Sequence, residues 1–129
     1  KFDEVNIPFR DVLSSVHGPD EHKECSELYV KYWHETKIGQ HLGKFKAATK
    51  KLHPDRVAYT MAAQAGWSHF HPHEPRQISR QEVCMLGTYP VDYDFKDEIW
   101  HYLIGMSVPP VMTAQIAHQI NLQWFSLSK

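Results

Sequence analysis

The chain carries two thiols that could act as nucleophiles, Cys25 and Cys84. A cysteine reacts as the thiolate, and an ordinary thiol needs a neighbouring base to be activated. Neither cysteine has an adjacent histidine, and the two match no Cys-x-x-Cys spacing. Two cysteines are also too few for a disulfide framework, which favours a reducing, intracellular setting. We therefore predict that neither cysteine is catalytic.

Three histidines alternate along residues 69–73, in the sequence His-Phe-His-Pro-His. In an extended chain this spacing puts His69, His71 and His73 on one side, and neutral imidazole is a good zinc ligand. No Cys-x-x-Cys or comparable ligand motif accompanies them. The histidine spacing alone still allows one hypothesis, a small His-rich metalloprotein that binds about one equivalent of metal. A loop without metal is the simpler interpretation, and our prediction includes no metal ligand.

Basic residues are concentrated between positions 31 and 56. This segment has a net charge of +5, in a chain whose net charge is −1. Such an island indicates a polyanion contact on one face, although a solvated polar face has the same composition. The candidate phosphate contacts are Lys37, Lys44, Lys46, Lys50, Lys51 and Arg56. Gln40, His41 and Lys44 could reach base edges in a major groove.

Local patterns predict a mixture of short helices and strands. Residues 9–16 form a short helical pattern closed by Gly-Pro, residues 57–61 are β-prone, and residues 26–33 fit either state. Ser79 and Glu82 have the spacing of a capping box, which predicts a helix to about residue 86. Behind the Pro-Pro pair at 109–110, apolar residues recur at every fourth position, as in an amphipathic helix. They are Met112, Ile116, Ile120 and Trp124. No apolar run reaches the ~18 residues of a membrane span.

Two stretches resemble conserved motifs of the DNA (cytosine-5) methyltransferases. Residues 71–95 resemble the ninth motif of that family, an Arg-x-hydrophobic-Ser/Thr-x-x-Glu run followed by a leucine and an aromatic-Pro-x-x-Tyr. The matching residues are Arg76, Ile78, Ser79, Glu82, Leu86, Tyr89, Pro90 and Tyr93. Residues 102–120 resemble the tenth motif, Ile-Gly-Asn-x-Val-Pro-Pro followed by a helix, with Met106 in place of Asn. The two stretches keep the family's order and together cover about 50 residues.

The resemblance implies a role for each part of the chain. Residues 1–19 would be a lead-in helix and turn, residues 20–70 the target recognition region, and residues 71–129 the return to the catalytic domain. Thr60 and Met61 would hold the positions at which the family has a Thr and an aliphatic residue next to DNA. Arg76 and Glu82 would form a structural pair that positions the recognition region. Residues 20–55 match no motif, as expected for a region that varies with the DNA sequence.

The tenth motif also implies contact with the cofactor. In the family this turn lines one side of the S-adenosylmethionine pocket, which would make Gly105, Met106, Ser107 and Val108 the cofactor-binding residues here. A methionine in place of the usual asparagine removes a polar side chain from this turn. A plain helix start would have the same local sequence, because Pro is favoured in a first helical turn.

The residues that perform the family's methyl transfer are missing from this sequence. The nucleophile lies in Pro-Cys-Gln, its companion in Glu-Asn-Val and the cofactor loop in Phe-x-Gly-x-Gly, and none of these strings occurs here. The chain also begins with Lys1 rather than Met, so we expect it to be cut from a longer parent. By resemblance, that parent transfers a methyl group from S-adenosylmethionine to C5 of cytosine in duplex DNA. The chain alone should be inactive.

We therefore expect an α+β fragment of a Rossmann-like α/β methyltransferase, with an irregular recognition subdomain, short strands and two or more helices. Its partners would be double-stranded DNA and the catalytic N-terminal half of the same enzyme. An apolar helix face left open in the fragment could also allow self-association. The setting would be the cytoplasm of a bacterial or phage-infected cell. A non-catalytic DNA-binding module that kept the fold is the alternative.

Overall fold

Five α-helices and one pair of very short strands form the part of the chain that the computed structural model describes, residues 6–15, 25–43, 49–63, 69–96 and 98–126. The helices are α1 (Phe9–Ser15), α2 (Glu27–Glu35), α3 (Arg80–Leu86), α4 (Trp100–Met106) and α5 (Pro110–Ile120). A π-helical turn, Asn121–Phe125, continues α5. The strands are β1 (Lys50–Lys51) and β2 (His69–Phe70). The mixed α+β prediction is confirmed.

The capping box fixes where α3 begins. The Ser79 hydroxyl accepts from the Glu82 N–H at 3.2 Å, and the Glu82 carboxylate accepts from the Ser79 N–H at 2.7 Å. These bonds satisfy two N–H groups that the first turn of a helix leaves unpaired. At the other end, the chain turns at Gly87 and then at Thr88, which has a left-handed φ of 59°. The predicted helix therefore forms with the predicted cap and length.

The strand pair is parallel and each of its edges is already occupied. Lys50 lies opposite His69, and Lys51 lies opposite Phe70. An antiparallel bridge from His41 covers the outer edge of β1, and one from Gln77 covers the outer edge of β2. The prediction of a strand at residues 57–61 was wrong, because this segment is neither strand nor helix. With both edges covered, no unpaired strand remains for it to join.

Two clusters of buried residues make up the core of the described part. The larger one joins α1, α3 and α4, and consists of Phe9, Val12, Leu52, Ile78, Val83, Cys84, Phe95 and Ile104. The smaller one consists of Trp33, Leu42 and Phe70. The Trp33 indole N–H donates to the His71 carbonyl at 2.8 Å, which fixes α2 against the chain just after β2. The ambiguous run at residues 26–33 is therefore helical because its aromatic face packs on this cluster.

The two C-terminal helices were unequally predictable. The sequence patterns indicated no helix at residues 100–106, yet α4 forms there, with Ile104 in the core. α5 forms where predicted, but within the described residues it buries no side chain. Its apolar stripe remains open, with Met112 at 46%, Ile116 at 39% and Trp124 at 72% exposure. No helix in the described ranges has the length and apolarity that crossing a bilayer requires.

Candidate nucleic-acid interface and the adjoining groove

Three exposed polar residues of the basic segment lie on a turn bonded to β1. Lys37, Gln40 and His41 are exposed on this turn, which brings the chain back alongside the strand. The Gly39 N–H donates to the Lys51 carbonyl and the Lys51 N–H donates to the Gln40 carbonyl, each at 2.9 Å. Gly39 has a φ of +81°, a conformation that favours glycine. Lys44 and Lys46, also predicted DNA contacts, lie outside the described residues.

Lys51 does not belong to this surface. It is only 6% exposed, and its ammonium donates to the carbonyls of Trp33 and Thr36 at 3.2 and 3.3 Å. The ammonium also lies 3.4 Å from the centre of the Trp33 ring. Burial lowers the pKa of this group. The predicted phosphate contact by Lys51 is therefore corrected: its positive charge is used at the C-terminal end of α2, where a helix favours cations.

A second exposed segment, residues 57–61, lies next to β1. The Lys50 ammonium is 3.1 Å from the centre of the Tyr59 ring, a cation–π contact that joins the two. Thr60 is exposed and Met61 is half-buried. Arg56 is exposed as well, and its carbonyl accepts from the Phe9 N–H at 3.0 Å. Lys50 therefore links the basic turn to the segment that contains the predicted Thr-Met pair.

Arg76 and Glu82 form a two-pronged ion pair behind this surface. The guanidinium donates from Nη1 to Oε2 at 2.8 Å and from Nη2 to Oε1 at 2.9 Å. Glu82 is 3% exposed, and burial alone would raise its pKa, but hydrogen bonds from Arg76 and Ser79 hold the pKa below its ordinary value. Arg76 also donates from Nε to the more exposed Glu74 at 2.5 Å. The capping carboxylate and the ion-pair carboxylate are thus the same group.

His71 is the buried neighbour of this pair. Its Nδ1 accepts from the backbone N–H groups of His73 and Glu74 at 3.2 and 3.0 Å, so the proton of the neutral ring is on Nε2. That nitrogen lies 3.8 Å from a Glu82 oxygen. Burial, and then the positive charge of Arg76, lower the pKa of His71 to about 4, although Glu82 acts in the opposite direction. His71 is therefore neutral at physiological pH.

We expect His71 to make the protein sensitive to mild acid. The unfolded chain binds a proton on His71 near pH 6.5, and the folded chain does so only near pH 4. Between these values the unfolded state holds more protons, so the free energy of unfolding falls as the pH is lowered. Urea unfolding at half-unit pH steps would measure this slope. His71→Asn, which keeps an acceptor near Nδ1, should flatten it. His73→Asn, at an exposed neighbour, should leave it in place, and equal slopes for all three proteins would contradict the assignment.

The three histidines do not assemble into a metal site. His69 and His71 are buried, each with a backbone hydrogen-bond partner, while His73 is exposed. Across the described ranges, no group of three or more His, Cys, Asp or Glu side chains is arranged to hold a metal ion. Of the two thiols, Cys84 is buried in the core, and burial raises the pKa of Cys25. A raised thiol pKa is the reverse of nucleophile activation.

A largely apolar groove of about 950 Å³ runs beside the 57–61 segment. Thr60 and Met61 line one side, and Thr88, Ser107 and Met112 line others. The Ser107 hydroxyl donates to the Ile104 carbonyl at 2.8 Å. The Thr88 hydroxyl accepts from the Val111 N–H at 3.1 Å, which ties the start of α5 to the end of α3. The groove therefore brings the predicted Thr-Met pair together with Ser107, one residue of the predicted cofactor turn.

The four consecutive residues predicted to contact a cofactor, 105–108, do not share one environment in the structure. Gly105 and Met106 belong to α4 instead of a turn, so the turn is shorter than predicted. Ser107 lines the groove, whereas Met106 and Val108 are 64% and 58% exposed. A Cβ on Gly105 would meet the Ala62 carbonyl oxygen and would lie 2.7 Å from the Ala63 Cα. Gly105 is thus the place where α4 packs directly on the backbone that follows Met61.

Tyr59 and His69 are the residues of this site that the sequence analysis did not recognise as part of it. Tyr59 follows the basic segment and directly precedes Thr60. This position in the sequence could have indicated that its aromatic ring lies at the same surface. His69 was considered only as a metal ligand, whereas its ring bonds the Tyr59 carbonyl at 3.2 Å. No local pattern could have revealed that bond, because ten positions separate the two residues.

Comparison with known proteins finds similarity to type II methyltransferases. Type II methyltransferase M.BbvI of Brevibacillus brevis is 42% identical over 65 residues, 47% of this chain and 17% of that protein. The putative type II methyltransferase M.MJ0563P of Methanocaldococcus jannaschii is 31% identical over 109 residues, 78% of this chain and 34% of that protein. The putative type II methyltransferase M.OihORF3336P of Oceanobacillus iheyensis is 35% identical over 83 residues, 60% of this chain and 18% of that protein.

These matches support a methyltransferase fragment. The aligned parts span between 17% and 34% of the length of these curated relatives. No family model matches the sequence, and no solved structure matches it either. The relatives therefore support the general class, a methyltransferase. Which base is methylated, and what this portion of the enzyme does, must be argued from the residues described above.

Proposed function

We propose that this chain is the target-recognition part of a DNA (cytosine-5) methyltransferase. The complete enzyme would transfer a methyl group from S-adenosylmethionine to C5 of cytosine in duplex DNA. The observation that carries the proposal is the packing of Gly105 on the Ala62–Ala63 backbone. It joins two parts of the chain to which the resemblance assigns roles, the Thr60–Met61 pair next to DNA and the turn before α5 next to the cofactor. The type II methyltransferase relatives support the same class of enzyme.

The DNA-binding surface in this proposal is the exposed basic turn together with the 57–61 segment. Its members are Lys37, Gln40, His41, Lys50, Arg56, Thr60 and Met61, joined by Lys44 and Lys46 from outside the described residues. Lysine and arginine would bind phosphates and set the orientation of the duplex, and the amide, imidazole and hydroxyl groups would read base edges. Chemistry on a cytosine requires the base to leave the stack, so this surface would also hold the opened duplex.

The groove beside this surface would form one wall of the S-adenosylmethionine site. Its apolar lining suits the adenine ring of that molecule, and Ser107 and Thr88 contribute polar groups. When bound, S-adenosylmethionine supplies the methyl group. The residues of this chain would orient the cofactor and exclude water on one side. A charged amino-acid end needs further hydrogen-bond partners, which we assign to the catalytic N-terminal half.

The open face of α5 would dock on that catalytic half, a Rossmann-like domain. Met112, Ile116, Ile120 and Trp124 are all at least 39% exposed, although their spacing is that of a helix face made for burial. Exposed apolar faces of this kind mark interaction surfaces. In the isolated chain, the same face would allow self-association. The proposed setting is the cytoplasm of a bacterial, archaeal or phage-infected cell.

Product analysis with the full-length protein tests the proposal. The protein would be incubated with duplex DNA and methyl-labelled S-adenosylmethionine, and the DNA digested to nucleosides and separated by chromatography. Label in 5-methylcytosine is the expected result. Label in N4-methylcytosine or N6-methyladenine would contradict the cytosine-5 assignment and leave the methyltransferase class standing. DNA binding without any label would instead favour the non-catalytic DNA-binding module, to which the methionine at position 106 points.

The salt dependence of DNA affinity tests which lysine and arginine side chains contact phosphate. Each phosphate contact releases counterions, so Lys37→Gln and Arg56→Gln should each reduce the slope of log affinity against log salt by ~0.9. Fluorescence anisotropy with a labelled duplex at several salt concentrations would measure it. Lys51→Met is the matched control within the same segment. Because Lys51 is buried against α2, its replacement should lower stability without changing the slope. A smaller slope for Lys51→Met would contradict the assignment.

A further inference from the structure

The buried imidazole of His69 contacts the segment that carries Thr60. His69 is 3% exposed and its Nε2 lies 3.2 Å from the Tyr59 carbonyl oxygen. A carbonyl oxygen only accepts, so Nε2 carries the proton and donates it. In the β1–β2 ladder, His69 also lies opposite Lys50, whose ammonium covers the Tyr59 ring. Tyr59 is thus held at its carbonyl by one strand and at its ring by the other.

This contact matters because, within the part of the chain that the structure describes, the backbone of the segment makes few other hydrogen bonds. Between described residues, no backbone–backbone hydrogen bond involves positions 57–61. The next fixed point along the chain is the close packing of Ala62 and Ala63 on Gly105. Thr60 lies between these two anchors and is exposed. The side chains of Ala58, Tyr59 and Met61 pack against the larger core cluster. Among the described residues, the backbone on either side of Thr60 is further held by the His69 bond and by the Gly105 contact.

We infer that His69 is a positioning residue for sequence discrimination, acting through the Tyr59 carbonyl on Thr60. This inference rests on the proposed function, in which Thr60 lies at the DNA. Base readout needs the reading group held in one geometry, whereas phosphate attraction tolerates a mobile backbone. Loss of the His69 bond should therefore weaken binding to the preferred duplex and leave non-specific affinity as it is. The two buried histidines have separate tasks, His71 at the Arg76–Glu82 pair and His69 at the reading segment.

Three substitutions separate the hydrogen bond from the volume of the ring. His69→Leu fills similar space without a donor. His69→Gln keeps an N–H near the position of Nε2, and His69→Asn keeps a polar group that is too short to reach Tyr59. The measurements are the affinity of the full-length protein for a duplex that it selects from a random-sequence pool, its affinity for a scrambled duplex, and the thermal midpoint. Should His69→Leu fail to fold, His69→Asn takes its place.

We expect His69→Leu and His69→Asn to lose roughly fivefold to tenfold in affinity for the selected duplex, the value of one hydrogen bond. Affinity for the scrambled duplex and its salt slope should not change, and His69→Gln should recover most of the loss. Equal losses for both duplexes, or equal losses in His69→Gln and His69→Leu, would overturn the inference. A merely structural role would lower the thermal midpoint and both affinities together.

NMR order parameters distinguish a failure of this inference from a failure of the proposed function. In His69→Leu, the backbone order parameters of residues 60 and 61 should fall, while those of α3 should not change. This readout needs no DNA. Lower order parameters combined with a wild-type protein that prefers no duplex would overturn the DNA-reading function and, with it, the specificity role. Unchanged order parameters would overturn the anchoring role of His69, whatever the protein binds.

Discussion

Replacement of Glu82 by leucine is expected to lower the free energy of unfolding by about 3–5 kcal/mol, the usual cost of removing one partner of a buried ion pair. Glu82 is 3% exposed and accepts two hydrogen bonds from Arg76 and one from the Ser79 N–H. Leucine would leave the half-buried guanidinium with Glu74 as its remaining carboxylate partner, and would remove one side of the capping box. Urea unfolding of the chain followed by circular dichroism would measure the loss.

Two controls separate the charge from the cap. Glu82→Gln keeps an oxygen that can accept from the Ser79 N–H, so its cost should be smaller than that of Glu82→Leu. Glu74→Gln removes the exposed partner of the same guanidinium, whose side chain is 58% accessible, and exposed pairs are worth only about 0–1 kcal/mol. The interpretation fails if Glu82→Leu costs no more than Glu74→Gln.

Gly105→Ala is expected to destabilise the protein, against the sign that helix propensity predicts. Gly105 lies within α4, where alanine is ordinarily better than glycine by about 1 kcal/mol. The added methyl group would meet the Ala62 carbonyl oxygen, and would lie 2.5 Å from the Ala62 carbonyl carbon and 2.7 Å from the Ala63 Cα. Backbone atoms cannot rotate away, and overpacking of this kind typically costs 1–3 kcal/mol. Thermal and urea unfolding of the variant would show whether its free energy of unfolding is lower or higher than that of the wild type.

The same substitution should also weaken discrimination between DNA duplexes, because it displaces the chain directly after Met61. Gly87→Ala is the matched control. Its Cβ would lie 2.7 Å from Cγ2 of the buried Ile104, so this variant should also destabilise the protein. The three atoms nearest that Cβ belong to Ile104, Tyr89 and Val83 and not to the 62–63 backbone, so we expect Gly87→Ala to change discrimination less than Gly105→Ala does. A Gly105→Ala protein that is more stable than the wild type would show that α4 and the 62–63 backbone are not in direct contact.

The two variants act in different family-like stretches and on different contacts. Glu82 holds the entry of α3 to the chain after β2, and Gly105 holds α4 to the end of the 57–63 segment. Glu82 bonds Arg76 and Ser79, whereas Gly105 packs on Ala62 and Ala63. Because these partners differ, the effects of the two substitutions on stability should add. The groove between the Thr-Met pair and the Ser107 turn then depends on the α4 contact and much less on the ion pair.

Much of the local structure was predictable because its causes lie within four residues. The Ser79–Glu82 capping box needs only its own spacing, and it started α3 as predicted. The four-residue apolar repeat behind the Pro-Pro pair likewise specified α5. The position of the basic segment followed from counting charges. In contrast, α4 was missed, because Ile104 and Gly105 are held by Gly87 and by the 62–63 backbone, and no local cap marks the helix.

By itself, the sequence determined the capped helix, the amphipathic C-terminal helix, the basic segment and the two stretches of family-like spacing, since each arises from side chains close together in the chain. Only the tertiary structure decided that Lys51 is buried under Trp33 and not exposed to phosphate, and that residues 57–61 stay outside the strand pair. It also decided that a histidine considered for zinc holds the Tyr59 carbonyl instead. The Lys51–Trp33 and His69–Tyr59 contacts join residues 18 and 10 positions apart, which meet only when the elements pack.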